Sequence, residues 1–146
     1  MHHQSPLFKQ RGIALLEVML SISVIALILV MATRFFYVAN NNSKTNIVIS
    51  QVGALVAASE TWRGASIDTS GISIGELGDA GLLDNLPGVT GSGKDISMKT
   101  PWGDTYSVSS DGLQITINVS LPHCGAVLQA FPNSTCHDGS FRYSFQ

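Results

Sequence analysis

The chain begins polar and basic and then turns abruptly apolar. From Ile13 to Ala32 it reads IALLEVMLSISVIALILVMA, twenty residues in which Glu17 is the one charge. The apolar positions leave no polar stripe, so the segment predicts a helix that is apolar on every side. At 1.5 Å per residue such a helix spans roughly 30 Å, the thickness of a bilayer's hydrocarbon. Polarity returns at Thr33-Arg34, and Phe35-Phe36-Tyr37 forms an aromatic cluster suited to a membrane interface. Asn40-Asn41-Asn42, a run of poor helix formers, is the expected place for a break. Beyond it Val48, Val52, Leu55, Val56, Ser59 and Trp62 recur at intervals of three and four, predicting an amphipathic helix with one face on a core and a stop at Arg63-Gly64. Unbroken from Ile13 to Arg63, this helix would be about 75 Å long.

The rest of the chain changes period. Ser73-Ile74-Gly75-Glu76 has the form of a capping box, opening a short helix to about Ala80 that Gly81 ends. Leu86 to Lys94, with Pro87-Gly88 and Gly91-Ser92-Gly93, is expected to be loop. Leu113, Ile115, Ile117, Val119 and Leu121 alternate with Gln114, Thr116, Asn118 and Ser120, predicting a strand with one buried face. Ser110-Asp111-Gly112 is the expected turn joining it to a strand at about Thr105–Ser109. Phe141, Tyr143 and Phe145 alternate again, so a further strand is expected near the C-terminus. The predicted fold class is α+β: a long N-terminal helix, hydrophobic in its first half, packed by its second half on a small antiparallel sheet head.

Length and charge narrow the classes. The 146 residues hold one small domain beyond the helix, and no segment repeats. Net charge is −2 and the eight Lys and Arg are dispersed, which argues against a nucleic-acid surface, since that needs clustered cations. Gly91-Ser92-Gly93-Lys94 lacks the spacing and the following Ser/Thr of a phosphate loop. Asp68, Asp79, Asp84, Asp95, Asp104 and Asp111 stand beside turns, where aspartate bends and caps the chain, and no spacing among them specifies calcium. No catalytic set, cofactor or metal is expected.

The N-terminus carries the functional signal. MHHQSPLFKQRG holds Lys9 and Arg11 and no acid, the pattern that keeps an N-terminus cytoplasmic and sends the rest across. A plain membrane anchor and a signal peptide cut after Ala32 both fit this layout. Neither explains Glu17, a carboxylate that costs a few kcal/mol when ionised in hydrocarbon and usually has a functional partner.

The run Lys9-Gln10-Arg11-Gly12-Ile13-Ala14-Leu15-Leu16-Glu17 resembles the prepilin peptidase site of type IV pilins and type II secretion pseudopilins. That resemblance implies removal of a leader, residues 1–12, by cleavage between Gly12 and Ile13. It also implies N-methylation of the new Ile13 amine and a place for Glu17 as fifth residue of the mature chain. There the carboxylate would pair with a neighbouring subunit's amine, setting register more than net stability. Ile13 stands where type IVa pilins and pseudopilins generally carry Phe, a place where type IVb pilins are more permissive. The leader is longer than typical type IVa leaders yet shorter than many type IVb ones, and the helix lacks the proline of many type IVa stems, so that landmark places no kink. Thr100-Pro101-Trp102-Gly103-Asp104 resembles the Asn-Pro-Trp-Gly segment of type IVb pilins of the conjugative thin-pilus kind, and Ile49-Ser50-Gln51-Val52 is similar to that group as well.

The resemblance implies a helix over 13–64, with 13–32 as transmembrane segment and filament core, and a pilin head over 65–146. Its implied partners are other pilin subunits, the prepilin peptidase, the inner-membrane assembly machinery and the membrane itself. The subunit, major or minor, would pass from a single-pass inner-membrane precursor to an extracellular pilus serving adhesion, conjugation or DNA uptake. Two alternatives stay open: a type II secretion pseudopilin, and a single-span membrane protein with a periplasmic ligand-binding head.

Cys124 and Cys136 are the two cysteines, and the expected topology puts them where thiols oxidise. A disulfide would close a loop over a short helix at 124–130 and add roughly 3 kcal/mol in the loop-entropy model. Zinc held by His123-Cys124 and Cys136-His137 is the alternative by residue type, though adjacent His-Cys pairs are awkward ligands for one tetrahedral ion.

Overall fold

The computed structural model describes residues 7–66 and 68–146, with side chains from Gly12 onward, so the first half of the expected leader, with His2 and His3, lies outside the described residues. The chain divides into two compact units, Met1–Asn41 and Asn42–Gln146, and the dividing point falls inside the first helix.

Helix α1 runs Leu7–Ala65. It begins before Ile13, and it continues through Asn40-Asn41-Asn42, where a break was expected. The cost of an asparagine relative to alanine is about 0.7 kcal/mol at most, and a helix already nucleated on both sides propagates across such a run. Propensity therefore loses to cooperativity here. Among the described side chains of the first unit the helix buries nothing: the large apolar residues from Ile13 to Met31 are 49–69% exposed. By length and composition this helix suffices to cross a membrane.

In the second unit the same helix becomes the spine of a core. Val48, Val52, Leu55 and Ser59 are fully buried, with Val56 and Trp62 half-buried, as the three-four spacing predicts. After it come α2 (Ile74–Asp79), β1 (Val89–Thr90), a 3-10 turn (Gly93–Asp95) and β2 (Ser97–Met98). Then follow β3 (Ser107–Ser110), β4 (Ile115–Ser120), α3 (Cys124–Leu128), β5 (Ser134–His137) and β6 (Ser140–Phe145). Ser73 caps α2 by accepting the Glu76 amide at 3.2 Å, and Gly81 takes φ +70 just past the helix. Gly78 lets α2 lie against the 3-10 turn, because a Cβ there would stand 2.6 Å from the Gly93 carbonyl oxygen and overlap Ile96.

Two sheets form, both antiparallel: a β1–β2 ribbon whose first strand lies inside the expected loop and whose second lies just past it, and a four-stranded sheet in the order β3-β4-β6-β5. The sheet's inner face carries Val108, Ile115, Ile117, Val119 and Phe141, and it closes the core with Tyr106, Leu77, Leu83, Met98 and the α1 residues. This is the expected α+β architecture.

Leu113 departs from its predicted place. It is 83% exposed, at the tip of the β3–β4 hairpin. The Asp111 carboxylate accepts the Leu113 and Gln114 amides at 3.0 and 2.8 Å, so a side-chain-closed turn claims these residues before the strand begins at Ile115.

Candidate functional site

Gly12, Ile13 and Glu17 all lie on α1, and Ile13 and Glu17, four residues apart, share one helix face. A Cβ at Gly12 would meet nothing within 4 Å, so neither packing nor a left-handed backbone requires glycine there. What glycine does is weaken the helix, by about 1 kcal/mol relative to alanine, next to the expected scissile bond. The Gly12–Ile13 peptide is helical, whereas proteolysis there would need it extended.

The hydroxyls of this segment are satisfied internally. Ser21 donates to the Glu17 carbonyl at 2.9 Å, Ser23 to Met19 at 2.8 Å and Thr33 to Val30 at 2.9 Å. The Glu17 carboxylate has no hydrogen-bond or ion-pair partner among the described residues. It is exposed, and exposed apolar side chains surround it along the helix. Chemically the segment offers a single acceptor-only anion on a surface that water does not favour.

In the head, a buried polar centre ties helix to loops. Gln51 is 1% exposed; its amide nitrogen donates to the carbonyls of Pro87 at 2.8 Å and Lys99 at 3.0 Å. Its amide oxygen accepts the Tyr106 hydroxyl at 2.9 Å, and burial pushes the Tyr106 phenol well above its ordinary range. Gly88, at φ +84, is held bare by the same centre, since a Cβ would overlap Gln51 Nε2 and the Lys99 carbonyl oxygen. The Pro101-Trp102-Gly103 segment is a turn built on buried Thr100, whose hydroxyl accepts the Trp102 and Asp104 amides at 3.2 Å each. Lys44 Nζ stands 5.8 Å from the Trp102 ring centre, within cation–π range.

Cys124 and Cys136 are bonded to each other, with Cα atoms 6.1 Å apart, which fastens α3 to β5. The sulfurs are thus committed to one another, and His137 Nδ1 pairs with Asp138 at 2.9 Å. Two exposed aspartates act as turn acceptors. Amides of Gln114 and Leu113 hold Asp111 below the usual carboxylate range, and the Ser70 amide and hydroxyl do so for Asp68.

The structure keeps Gly12, Ile13 and Glu17 together on α1 and joins the cysteines. Within Ile49-Ser50-Gln51-Val52, the place of Gln51 between Val48 and Leu55 puts it on the buried stripe. Arg142 stands between the apolar Phe141 and Tyr143, where the alternation turns it outward. Comparison with protein-family models, with curated proteins and with solved structures finds no match for this chain.

Proposed function

We propose that the chain is the precursor of a type IVb-like pilin, a structural subunit cut after Gly12 and assembled through its N-terminal helix into an extracytoplasmic filament. The observation that carries this reading is Glu17: one carboxylate without a partner among the described residues, one helical turn past Ile13, in an exposed apolar stretch. Such a group is costly in a membrane and demands a cation. Cleavage at Gly12–Ile13 makes that cation, an α-amine, and helices packed side by side bring one chain's amine to another's Glu17. The leader withholds the amine until it is removed, so processing licenses assembly. The all-apolar surface then serves twice, against lipid in the precursor and against other helices in the polymer. The head supplies the filament's exterior and its contacts in adhesion, conjugation or DNA uptake.

The test is the intact mass and N-terminal sequence of the chain co-expressed with its prepilin peptidase. A methylated Ile13 start supports the reading. An uncut Met1 start discards it for a single-span anchor, and a Thr33 start indicates a secreted domain.

A further inference from the structure

The outward face of the four-stranded sheet has an unusual composition. Strand alternation puts Ser107 and Ser109 of β3, Thr116, Asn118 and Ser120 of β4, Ser140, Arg142 and Ser144 of β6, and Thr135 and His137 of β5 on the side away from the core. Hydroxyl and amide groups dominate, no apolar side chain intrudes, and Arg142 is the only permanent charge. Arg142 is opposite Asn118 on one neighbour strand and Thr135 on the other. Its Nε donates to Asn118 Oδ1 at 2.9 Å, which orients the guanidinium and leaves its terminal nitrogens without a partner among the described residues. The acid on the adjoining turn, Asp138, is engaged by His137, and no carboxylate bridges Arg142. Thr135, His137, Ser140 and Arg142 line a concavity of about 320 Å³.

We propose that this concavity binds the carboxylate of an acidic saccharide. A guanidinium fixed through Nε presents its other edge as a fork matched to a planar carboxylate. The surrounding hydroxyls both donate and accept, as sugar hydroxyls require. A single fixed charge matches a single carboxylate better than a phosphate dianion. Nucleic acid fits poorly, because it needs several cations along the backbone and aromatic platforms for bases, and this face has neither. One exposed charged pair gives weak binding, with Kd in the millimolar range. The site stands on the head's own geometry; only its repetition along a polymer, which would turn weak contacts into avidity, rests on the pilin reading.

The experiment is an amide-resolved NMR titration of the full chain in detergent micelles, with sodium glucuronate as probe and glucose, inorganic phosphate and a thymidine oligonucleotide as comparisons. Glucuronate is expected to shift the amides around Asn118, Thr135, Ser140 and Arg142 saturably, and more tightly than phosphate, with glucose without effect. Arg142→Gln should weaken binding about tenfold with an otherwise unchanged spectrum, and Arg142→Lys should only partly restore it. No saturable shift, or an unaltered Arg142→Gln titration, would overturn the site. Phosphate binding as tightly as glucuronate, or tighter salt-sensitive binding of the oligonucleotide, would overturn the saccharide assignment. None of these outcomes depends on filament formation, so failure here leaves the pilin reading standing, and the reverse holds.

Discussion

At the scale of single residues, Gln51 has the largest reach. It binds three groups that are distant in sequence, and all three lose their partner if the amide is removed. Each unsatisfied buried group costs ~1–3 kcal/mol, so Gln51→Leu should destabilise the head by about 3 kcal/mol despite filling the same space with apolar atoms. A thermal melt followed by near-UV circular dichroism reads this directly. Ser59 predicts the opposite sign: its hydroxyl is buried with no partner among the described residues, and Ser59→Ala should raise the melting temperature, by about 1 kcal/mol in stability. Tyr106 sets an alkaline limit. Its phenol titrates higher in the folded chain than in the unfolded one. Stability from the neutral phenol is therefore complete below about pH 10, the unfolded value, and falls as pH rises from there toward the folded value. Tyr106→Phe should flatten that alkaline fall in a pH series of melts. For Asp111 the shift is downward. Its turn keeps full strength above about pH 4 and loosens as pH falls through the lower folded value, which amide exchange at Leu113 and Gln114 reports.

At the scale of elements, α1 and the α3–β5 clasp matter most. The helix continues unbroken through Gly12, so the proposed cut would require local unwinding, which glycine there would ease. Gly12→Ala adds no clash and strengthens the helix by about 1 kcal/mol. It should slow processing about fivefold or more while leaving membrane insertion unchanged, checked by the ratio of precursor to mature band over time. Reducing Cys124–Cys136 should cost about 3 kcal/mol and speed exchange in α3 and β5 ahead of β3 and β4. Elements with a purely local cause were legible in the chain: the apolar run, the Ser73 cap, the period-two strand. Those decided by competition were not. The asparagine triplet is helical because its neighbours are, and Leu113 leaves the strand because Asp111 takes the amides first. The β1–β2 ribbon has two residues per strand and is held by Gln51 from the helix, a relation with no local signal. At the candidate site, Glu17 was visible because it interrupts a pattern. Arg142 conforms to one, outward on an alternating strand, and its role emerges only when Asn118 is seen beside it.

At the scale of the whole molecule, the two units have opposite relations to solvent. One exposes a long apolar surface, and the other buries a complete core and needs no partner to do so. On the pilin reading, loss of the Glu17 charge should therefore touch association alone. Glu17→Ala is expected to be processed and inserted normally and to enter filaments at least about tenfold less well, since an unpaired amine would remain buried. Quantifying sheared filaments against total mature subunit checks it; normal filament yield would exclude the register role. The sheet order carries one more consequence. Both outermost strands, β3 and β5, have four residues, two fewer than the strands they flank. β5 is also clasped to α3 through its cysteine. Short margins of this kind give a neighbouring chain little backbone to zip onto. On the pilin reading, many such heads crowded on one membrane would slide past one another rather than fuse into a cross-strand aggregate, and a store of subunits would stay usable.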